Sequence, residues 1–332
     1  MSSSALMFAM VALPTPSGGR YELTKCPVPV PRATEVLVAV KGSALNRGEQ
    51  NALERLVDPA KKPTIGGIEF SGIVVGLGET VTRWKLGDEV MARSHGGFAQ
   101  FATCDERALM VKPPSVSWPT AAAIPNVFIT AHDAIVTAGV LRKGETVLIT
   151  AGSSGVGVAA IQIAKYMGAS KVLVTSRSPS KKAKLHSLGA DLVIDSERPD
   201  WTDEVMETTS GKGVDMVVDQ VGSTLLAANL NILSIGGRLL TVGRNAGSKA
   251  VCDLDEIARK NAKIIGTSFR SRTVEQVYDC VDRFKVDLMD AFLNGKMVSV
   301  VDRCFKLEAI AEAQAYLCSN NHVGKISLDI NS

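Results

Sequence analysis

The stretch I-T-A-G-S-S-G-V-G-V-A (149–159) decides the fold class of this chain. It overlaps T-V-L-I-T (146–150), whose short apolar character is typical of a buried parallel strand. It leads into V-G-V-A-A-I-Q-I-A-K-Y-M-G (156–168), which predicts a helix that ends at Gly168. Glycines at such a turn let backbone N–H groups and the helix N-terminus approach a pyrophosphate closely. The stretch therefore predicts a dinucleotide-binding turn, and the alternative is a glycine turn that serves only helix–sheet packing.

The alternation of strand and helix continues to about residue 269. Further strands are predicted at K-V-L-V-T-S (171–176), D-L-V-I-D (191–195), D-M-V-V-D (215–219), G-R-L-L-T-V-G (237–243) and A-K-I-I-G-T-S (262–268). Helices are predicted at 178–189 and near 201–209, 224–234 and 253–261. Six strands separated by helices indicate an α/β fold with a doubly wound parallel sheet. We therefore predict a Rossmann domain over residues 125–269.

The segments before and after the Rossmann domain do not show this alternation of strands and helices. Residues 1–124 hold short strands between glycines and prolines, which predicts a β-rich module, and the strands are expected at 35–42, 70–78, 87–92 and 96–103. Residues 270–332 predict helices near 273–294 and 307–319 and a last strand at 325–330. A tail this short is expected to fold back on the first module. We therefore predict one domain from residues 1–124 and 270–332, with the Rossmann domain inserted between them.

Composition narrows the classes of function. The 332 residues are 45% hydrophobic and 21% charged, and the net charge of +3 is too small to indicate a nucleic-acid binder, which needs clustered Lys and Arg. Apolar runs such as 121–124 and 156–160 are shorter than the ~20 residues of a membrane span. The N-terminus lacks the positive start of a signal peptide and predicts a first strand. We expect a cytoplasmic protein with neither membrane nor nucleic acid as partner.

The end of the second predicted strand indicates which nucleotide the domain prefers. NAD-binding domains usually carry Asp or Glu about 20 residues past the glycine loop, where it holds the ribose hydroxyls. Here Ser176 occupies that place, followed by Arg177 and, farther on, Lys181. A hydroxyl and two cations attract the 2′-phosphate that a carboxylate would repel. The prediction is NADPH, and the alternative for the lysines is a solvated helix face formed by Lys181 and Lys182.

Nearly the whole chain resembles the medium-chain dehydrogenase/reductases, and it looks most like their zinc-independent quinone oxidoreductase branch. The matching stretches include A-L-N-R-G-E (44–49), G-I-E-F-S-G-I-V-V-G-L-G (67–78), W-K-L-G-D-E-V (84–90), G-G-F-A-Q-F (96–101), A-A-A-I-P (121–125), T-A-H-D-A (130–134), A-G-S-S-G-V-G (151–157), G-T-S-F-R-S-R-T (266–273) and H-V-G-K-I (322–326). The resemblance implies a GroES-like catalytic domain beside the Rossmann domain. It also implies a homodimer through the edge strands of the Rossmann sheets, here 262–268 with the preceding loop.

The zinc-dependent relatives carry Cys where this chain has Asn46 and His where it has Ile68, and Glu69 alone cannot hold zinc. The six cysteines contain no C-x-x-C pair, so a structural zinc lobe is not expected either. Without a Lewis acid, alcohol–carbonyl interconversion loses its electrophile. A quinone or a conjugated enone needs less help, because its own carbonyl accepts the electrons of the hydride. The resemblance thus implies a metal-independent reductase of quinones or enones.

The resemblance also implies site residues. Asn46 would face the nicotinamide and the substrate and donate to the carbonyl oxygen as charge builds there. Contacts near the nicotinamide are implied for Asn126 and Thr130, which would also lie near the phosphates, and for Val242, Gly243 and Arg244. Contacts with the pyrophosphate are implied for Ser154, Gly155, Val156 and Gly157. Phe269 and Arg270 would line the cofactor, and Lys325 would reach its phosphates. The alternative for Arg270 and Arg272 is a surface salt-bridge network.

Three further functions stay open at this point. Enoyl-thioester reductases of the superfamily often use a Tyr shortly after the position of Asn46, and residues 47–60 contain no Tyr, which weakens the possibility of an acyl double-bond reductase. The chain could also be a non-catalytic NADPH-binding protein of the same fold, since fold does not fix function. A zinc alcohol dehydrogenase is the third possibility, and the missing Cys and His weigh against it.

Overall fold

The chain folds into two compact units in a computed structural model that describes residues 5–330. The first unit comprises the described residues up to Asn126 and from Val281 onward, and the second is Val127–Cys280. In chain order the first part of unit 1 contains β1 (Leu6–Leu13), β2 (Arg20–Pro27), β3 (Glu35–Ala44), α1 (Arg47–Glu54), β4 (Thr64–Ile65), β5 (Phe70–Leu77), β6 (Glu89–Ala92), β7 (Phe101–Asp105), β8 (Leu109–Val111) and α2 (Trp118–Ala122).

The following segment builds unit 2 and then returns to unit 1. It contains α3 (Pro125–His132), β9 (Thr146–Ile149), α4 (Gly155–Tyr166), β10 (Lys171–Thr175), α5 (Lys182–Ser187), β11 (Leu192–Ile194), α6 (Trp201–Thr208), β12 (Val214–Asp219), α7 (Leu226–Asn231), β13 (Leu233–Thr241), α8 (Leu254–Arg259) and β14 (Lys263–Gly266). The chain ends with α9 (Val274–Leu293), β15 (Val301–Lys306), α10 (Ile310–Ser319) and β16 (Lys325–Asp329). The boundary between the units falls within α9.

Unit 2 is built on a six-stranded parallel sheet in the order β11-β10-β9-β12-β13-β14. Relative to the chain this is 3-2-1-4-5-6, the doubly wound order. One row of buried side chains crosses the sheet in register, since Leu173 pairs with Leu148, Leu148 with Val217 and Val217 with Leu239. Strands buried on both faces need continuous apolar runs, which explains why the sequence pattern predicted them. The predicted α/β fold class is confirmed.

Unit 1 is a β-rich module that the C-terminal strands complete. Its larger sheet has the order β15-β16-β3-β5-β6-β8, with β7 also paired to β3, and a smaller sheet has the order β2-β1-β4. The last strand, β16, pairs antiparallel with the end of β3, where Ser327 lies opposite Ala44. This pairing places Lys325, at the start of β16, beside the chain that follows β3. The predicted strand 96–103 is displaced, because β7 begins only at Phe101.

The unit boundaries differ from the predicted domain boundaries for identifiable reasons. Asn126 belongs to unit 1 rather than to the Rossmann segment, because its backbone N–H donates to Glu69 Oε2 at 2.8 Å. Residues 270–280 belong to unit 2, because Arg272 forms an ion pair with Asp133 at 2.6 Å and Cys280 Sγ lies 3.5 Å from Asp133 Oδ1. Neither set of contacts has a local sequence signal.

Within residues 5–330, one helical stretch, Trp118–Ala138, is long and apolar enough to cross a membrane. Of the 18 most apolar consecutive residues in this stretch, 72% are buried inside the protein. Core helices of water-soluble proteins have the same composition and burial, so this stretch is weak evidence for a membrane span.

Candidate active site

A buried ion pair lies at the centre of the polar site in unit 1. Lys325 Nζ lies 2.8 Å from Glu69 Oε1, and the side chains are 4% and 0% exposed. The same ammonium group donates to the carbonyl oxygen of Leu45 at 2.6 Å and to Asn46 Oδ1 at 2.6 Å. An ammonium group has three donors, and all three are used here. In this structure all three donors of Lys325 are directed to the site around Glu69, and its contact with the cofactor phosphates stays a prediction.

The backbone around Glu69 is fixed by close packing. Gly67 has φ +89°, which favours glycine, and a Cβ there would lie 2.6 Å from the backbone nitrogen of Phe98. Ser43, on β3, donates to the carbonyl oxygen of Glu69 at 2.6 Å. A Cβ on Gly97 would lie 2.4 Å from that same oxygen, so only glycine fits against it. The G-G-I-E turn thus positions the carboxylate of Glu69 directly after Ile68, the position where the resemblance implies a His in the zinc-dependent relatives.

Asn46 connects the members of this site. Its Nδ2 donates to Glu69 Oε1 at 2.9 Å and to Glu49 Oε2 at 3.0 Å, and its Oδ1 accepts from Lys325 and from Asn126 Nδ2 at 2.8 Å. Both N–H groups and both lone pairs of the amide are therefore engaged. The residue is 7% exposed. This differs from the expected role as a donor to the substrate, because the amide is already holding two carboxylates. We call Asn46, Glu49, Glu69, Asn126 and Lys325 the Asn46 cluster.

Asn126 is held in this cluster by hydrogen bonds. Besides the contacts with Glu69 and Asn46, its Oδ1 accepts from Arg93 Nε at 3.1 Å. Sequence reasoning placed Asn126 near the nicotinamide and missed its link to Glu69. The link joins residues 57 positions apart, so no local pattern could have revealed it.

Glu49 is a half-buried member of the cluster, as is Asn126. Burial raises the pKa of its carboxyl from 4.5 to about 7, and Glu69 adds to the rise, while Asn46, Lys325 and the backbone N–H of Gly67 oppose it. The Tyr21 ring lies against Gly66, and its pKa is raised by burial and by the charge of Glu49. The Tyr21 ring packs edge-on against Phe98, with the centroids 5.5 Å apart. Sequence reasoning singled out neither Glu49 nor Tyr21 as part of the site.

The glycine turn of unit 2 is a tight strand-to-helix connection. Ser154 caps α4, because its Oγ accepts from the N–H of Gly157 at 3.0 Å. A Cβ on Gly152 would lie 1.8 Å from Val174 Cγ1, and one on Gly157 would lie 2.5 Å from the carbonyl oxygen of Gly152. Helix–sheet packing therefore requires these two glycines. Packing does not exclude nucleotide binding, since the doubly wound domains use glycines for both purposes.

The first turn of α4 carries the remaining predicted pyrophosphate residues. Gly155 begins the helix, and both Gly155 and Val156 are half-buried. A 12-residue helix with its N-terminus at the carboxyl edge of a parallel sheet favours an anion there.

A buried network that sequence reasoning missed supports this turn. Thr150 Oγ1 donates to Asp219 Oδ1 at 2.9 Å, and Gln220 Nε2 donates to the carbonyl oxygen of Thr150 at 2.8 Å. Ser154 Oγ donates to Gln220 Oε1 at 2.6 Å. Burial raises the pKa of Asp219 above its ordinary value. A signal was present, because Thr150 and Asp219 close two predicted parallel strands, whose carboxyl ends meet at one edge of a sheet.

The residues predicted to select the nucleotide follow β10 directly. Ser176 is buried, and its backbone N–H donates to the carbonyl oxygen of Ile194 at 2.9 Å. Arg177 is exposed, whereas Lys181 is buried in the turn before α5. The burial of Lys181 contradicts a solvated face for that residue, while Lys182 is exposed.

The remaining predicted coenzyme residues of unit 2 lie at or near the ends of elements. Val242 and Gly243 follow β13, and the backbone N–H of each donates to the carbonyl oxygen of Asp219, at 2.8 and 3.0 Å. Arg244 and Arg270 are exposed, and Phe269 and Thr130 are half-buried. The Arg272 guanidinium lies 4.8 Å from the Phe269 ring centroid and pairs with the buried carboxylate of Asp133. Arg272 thus forms a salt bridge that is partly buried, rather than one on the surface.

Within the described range, 5–330, no three His, Cys, Asp or Glu side chains come together as a metal-binding group. The Asn46 cluster itself supplies amides, an ammonium group and two carboxylates. Lys325 occupies the position beside Glu69 Oε1 with a positive charge, which a cation at that oxygen would have to displace.

Comparison with known proteins places this architecture among the hydride-transferring oxidoreductases. The alcohol dehydrogenase GroES-like domain matches residues 32–114, and the zinc-binding dehydrogenase domain matches residues 155–284. The chain is 30% identical to the quinone oxidoreductase of Rattus norvegicus over 307 residues, which is 91% of each protein. It therefore belongs to the medium-chain dehydrogenase/reductase superfamily, in the quinone oxidoreductase-like branch, and the predicted resemblance is confirmed.

Solved structures of similar proteins cover nearly the entire chain. An NAD-dependent alcohol dehydrogenase is 31% identical, with a TM-score of 0.85 over 98% of this chain and 100% of its own. A mycobacterial protein crystallised with NADPH is 25% identical, with a TM-score of 0.87 over 98% and 100%. With its nucleotide-binding domain, the chain is an oxidoreductase that uses a pyridine nucleotide.

Proposed function

We propose that the protein is an NADPH-dependent, metal-independent reductase that transfers hydride to a quinone or a conjugated enone. The observation that carries the proposal is the 3-2-1-4-5-6 sheet of unit 2, with its glycine turn after β9 and Ser176-Arg177 after β10. In this sheet order, nucleotides bind beyond the carboxyl ends of the strands, at the point where the strand order reverses.

The preference for NADPH rests on the end of β10. A carboxylate there would hold the ribose hydroxyls of NAD, but Ser176 stands in that place and Arg177 is exposed beside it. An exposed guanidinium offers paired donors to a phosphate. One structural relative is described as NAD-dependent and another was solved with NADPH, so the shared fold does not decide the nucleotide. The local residues at 176 and 177 favour the 2′-phosphate.

The nature of the acceptor follows from the residue types of the unit 1 site. Asn46 and Ile68 occupy the positions where the resemblance implies zinc ligands in the zinc-dependent relatives. The Asn46 cluster provides hydrogen bonds and acid–base groups instead. An acceptor that already carries a conjugated carbonyl stabilises the charge of the added hydride by itself. The rat relative is named a quinone oxidoreductase, which supports a quinone as acceptor.

One observation favours a second candidate, an enoyl-type double-bond reductase. The sequence lacks a Tyr at 47–60, but β2 brings Tyr21 into the neighbourhood of Glu49. The phenol is protonated at neutral pH, and burial makes it a weaker acid than an exposed tyrosine. An enolate is a stronger base than a phenolate, so the phenol can still supply the proton that completes reduction of a C=C bond.

Assembly and location complete the proposal. β14 is an edge strand of the unit 2 sheet, and its Ile264 is 45% exposed. Leu254, which begins α8 in the segment before β14, is 74% exposed. An unpaired edge with apolar side chains suits pairing with a second copy of the chain. We expect a homodimer in the cytoplasm.

The nucleotide preference is tested by binding of NADPH and NADH to the wild type and to Ser176→Asp. We expect the wild type to bind NADPH more tightly, and the variant to lose at least about tenfold in NADPH affinity, since a like charge beside the 2′-phosphate costs ~1.4 kcal/mol or more. Ser187→Asp adds the same charge at an exposed position of α5 and serves as the control. Equal affinities of the wild type for NADPH and NADH would contradict the assignment.

A further inference from the structure

The Asn46 cluster contains two carboxylates but one buried cation. Glu69 and Lys325 form an ion pair, and both carboxylate oxygens of Glu69 accept hydrogen bonds. Glu69 Oε1 accepts from Lys325 and Asn46, and Oε2 accepts from the backbone N–H of Asn126. All three of these hydrogen bonds come from donors, so in these contacts the Glu69 carboxylate only accepts. A proton that the cluster donates must therefore come from another member.

Glu49 is the other carboxyl group of the cluster and is the one that can hold a proton. The groups that face it are the ammonium of Lys325, the carboxylate of Glu69 and the phenol of Tyr21. The single cation among these three is 2.8 Å from Glu69 and already neutralised by it. Arg93 contacts the cluster at Asn126 Oδ1. When Glu49 is protonated, the Glu69–Lys325–Glu49 group is neutral; when it is ionised, the group carries an extra negative charge.

The geometry also orients Glu49. It occupies the first turn of α1, three residues after Asn46, and Asn46 Nδ2 holds its Oε2 at 3.0 Å. Asn46 is itself immobilised by Glu69, Lys325 and Asn126. Glu49 is half-buried, whereas Asn46, Glu69 and Lys325 are buried. Of these four residues, Glu49 is the one with a partly exposed surface.

We propose that Glu49 is the proton donor that completes the reduction, a role that rests on the proposed reductase function. A bound reduced nicotinamide would supply the hydride with both of its electrons and would itself be oxidised, so that the acceptor would become a hydroquinone anion or an enolate. The Glu49 O–H bond then breaks, and its proton goes to that anion. Glu49 is left as a carboxylate, and solvent water restores the proton. Asn46 is a positioning residue that holds the carboxyl group.

The acid strength of Glu49 agrees with this role. A pKa of about 7 keeps roughly half of the side chains protonated at neutral pH, and a general acid is most effective when its pKa lies near the working pH. Turnover that needs the protonated form falls as pH rises through 7.

The test compares the wild type, Glu49→Gln, Glu49→Asp and Glu54→Gln in steady-state NADPH oxidation with a small para-quinone, from about pH 5.5 to 9. Glu54 is exposed on the same helix and provides the control. We expect wild-type kcat to fall about tenfold per pH unit above 7, and Glu49→Gln to turn over ~100-fold more slowly without that dependence. Glu49→Asp retains a falling profile at reduced rate, and Glu54→Gln matches the wild type.

A Glu49→Gln enzyme with wild-type kcat and pH profile would overturn the role while leaving the reductase function intact. A wild type that oxidises NADPH with neither a quinone nor an enone would instead refute the reductase function itself. A second readout does not depend on turnover: the infrared band of a protonated carboxyl should titrate near pH 7 in the wild type and be lost in Glu49→Gln. Absence of that band from the wild type would also overturn the role.

Discussion

Replacing Lys325 with Met tests the ion pair at the centre of the Asn46 cluster. The variant keeps the side-chain volume but removes the charge, so Glu69, which is 0% exposed, is left as an uncompensated buried carboxylate. Removal of one partner from a buried pair costs about 3–5 kcal/mol. The carbonyl oxygen of Leu45 also loses this donor, and Asn46 Oδ1 keeps only the hydrogen bond from Asn126. We therefore expect the free energy of unfolding to fall by at least ~3 kcal/mol.

The assay is urea-induced unfolding followed by tryptophan fluorescence, with Lys306→Met as the matched control. Lys306 also pairs with a carboxylate of the same sheet, at 2.7 Å from Asp329, but its side chain is 63% exposed. Such an exposed pair contributes little to stability, because water screens its charges. Adding Glu69→Gln to Lys325→Met removes the unpaired charge and should restore part of the loss. Equal, small losses in the two lysine variants would refute the reasoning that Lys325 neutralises a desolvated carboxylate.

Two further predictions concern Glu49 and the glycine turn. Because the folded-state pKa of Glu49 is raised from 4.5 to about 7, the folded protein binds more protons than the unfolded chain between these values, and stability falls as pH rises through that window. The free energy of unfolding of Glu49→Gln, relative to that of the wild type, should therefore rise by up to ~3 kcal/mol from pH 4 to pH 8. Urea unfolding at both pH values measures this difference, and a difference that does not change with pH would contradict the raised pKa of Glu49. Gly157→Ala places a methyl group 2.5 Å from the carbonyl oxygen of Gly152, and should weaken nucleotide binding at least ~10-fold by displacing the turn. Gly266→Ala, whose Cβ would have 3.8 Å of room, should bind nucleotide as the wild type does, and equal binding by both variants would show that the turn tolerates the displacement.

The fold of unit 2 was readable because its signals are local. Each buried strand is a short apolar run, and α4 and α5 end close to Gly168 and Gly189, so β9, α4 and β10 lie within a few residues of their predicted positions. The return of the tail to unit 1 was also predictable, since a single strand with two helices cannot bury a core alone. The displaced strand at 96–103 shows the limit, because Gly96 and Gly97 serve a turn packed on Glu69 rather than a strand.

The unit 1 site was predictable in its position and not in its connections. The motif around Asn46 indicated where the site lies, but the contacts among Asn46, Glu69, Asn126 and Lys325 join four separate segments. Lys325 illustrates the difficulty: a lysine near the end of the chain resembles a surface cation until strand pairing brings it beside β3. Tyr21 entered the site in the same way, from a strand that no pattern distinguished.

The most direct test of the account is a single-turnover experiment on the chelator-treated protein with bound NADPH, mixed in turn with a small quinone and a conjugated enone. The near-ultraviolet absorbance of the reduced nicotinamide should decay with at least one acceptor, with one acceptor molecule reduced for each NADPH oxidised. Faster decay with the quinone supports a quinone reductase, and faster decay with the enone supports a double-bond reductase. Stable, bound NADPH in the presence of both acceptors would contradict the account and indicate a nucleotide-binding protein without this activity.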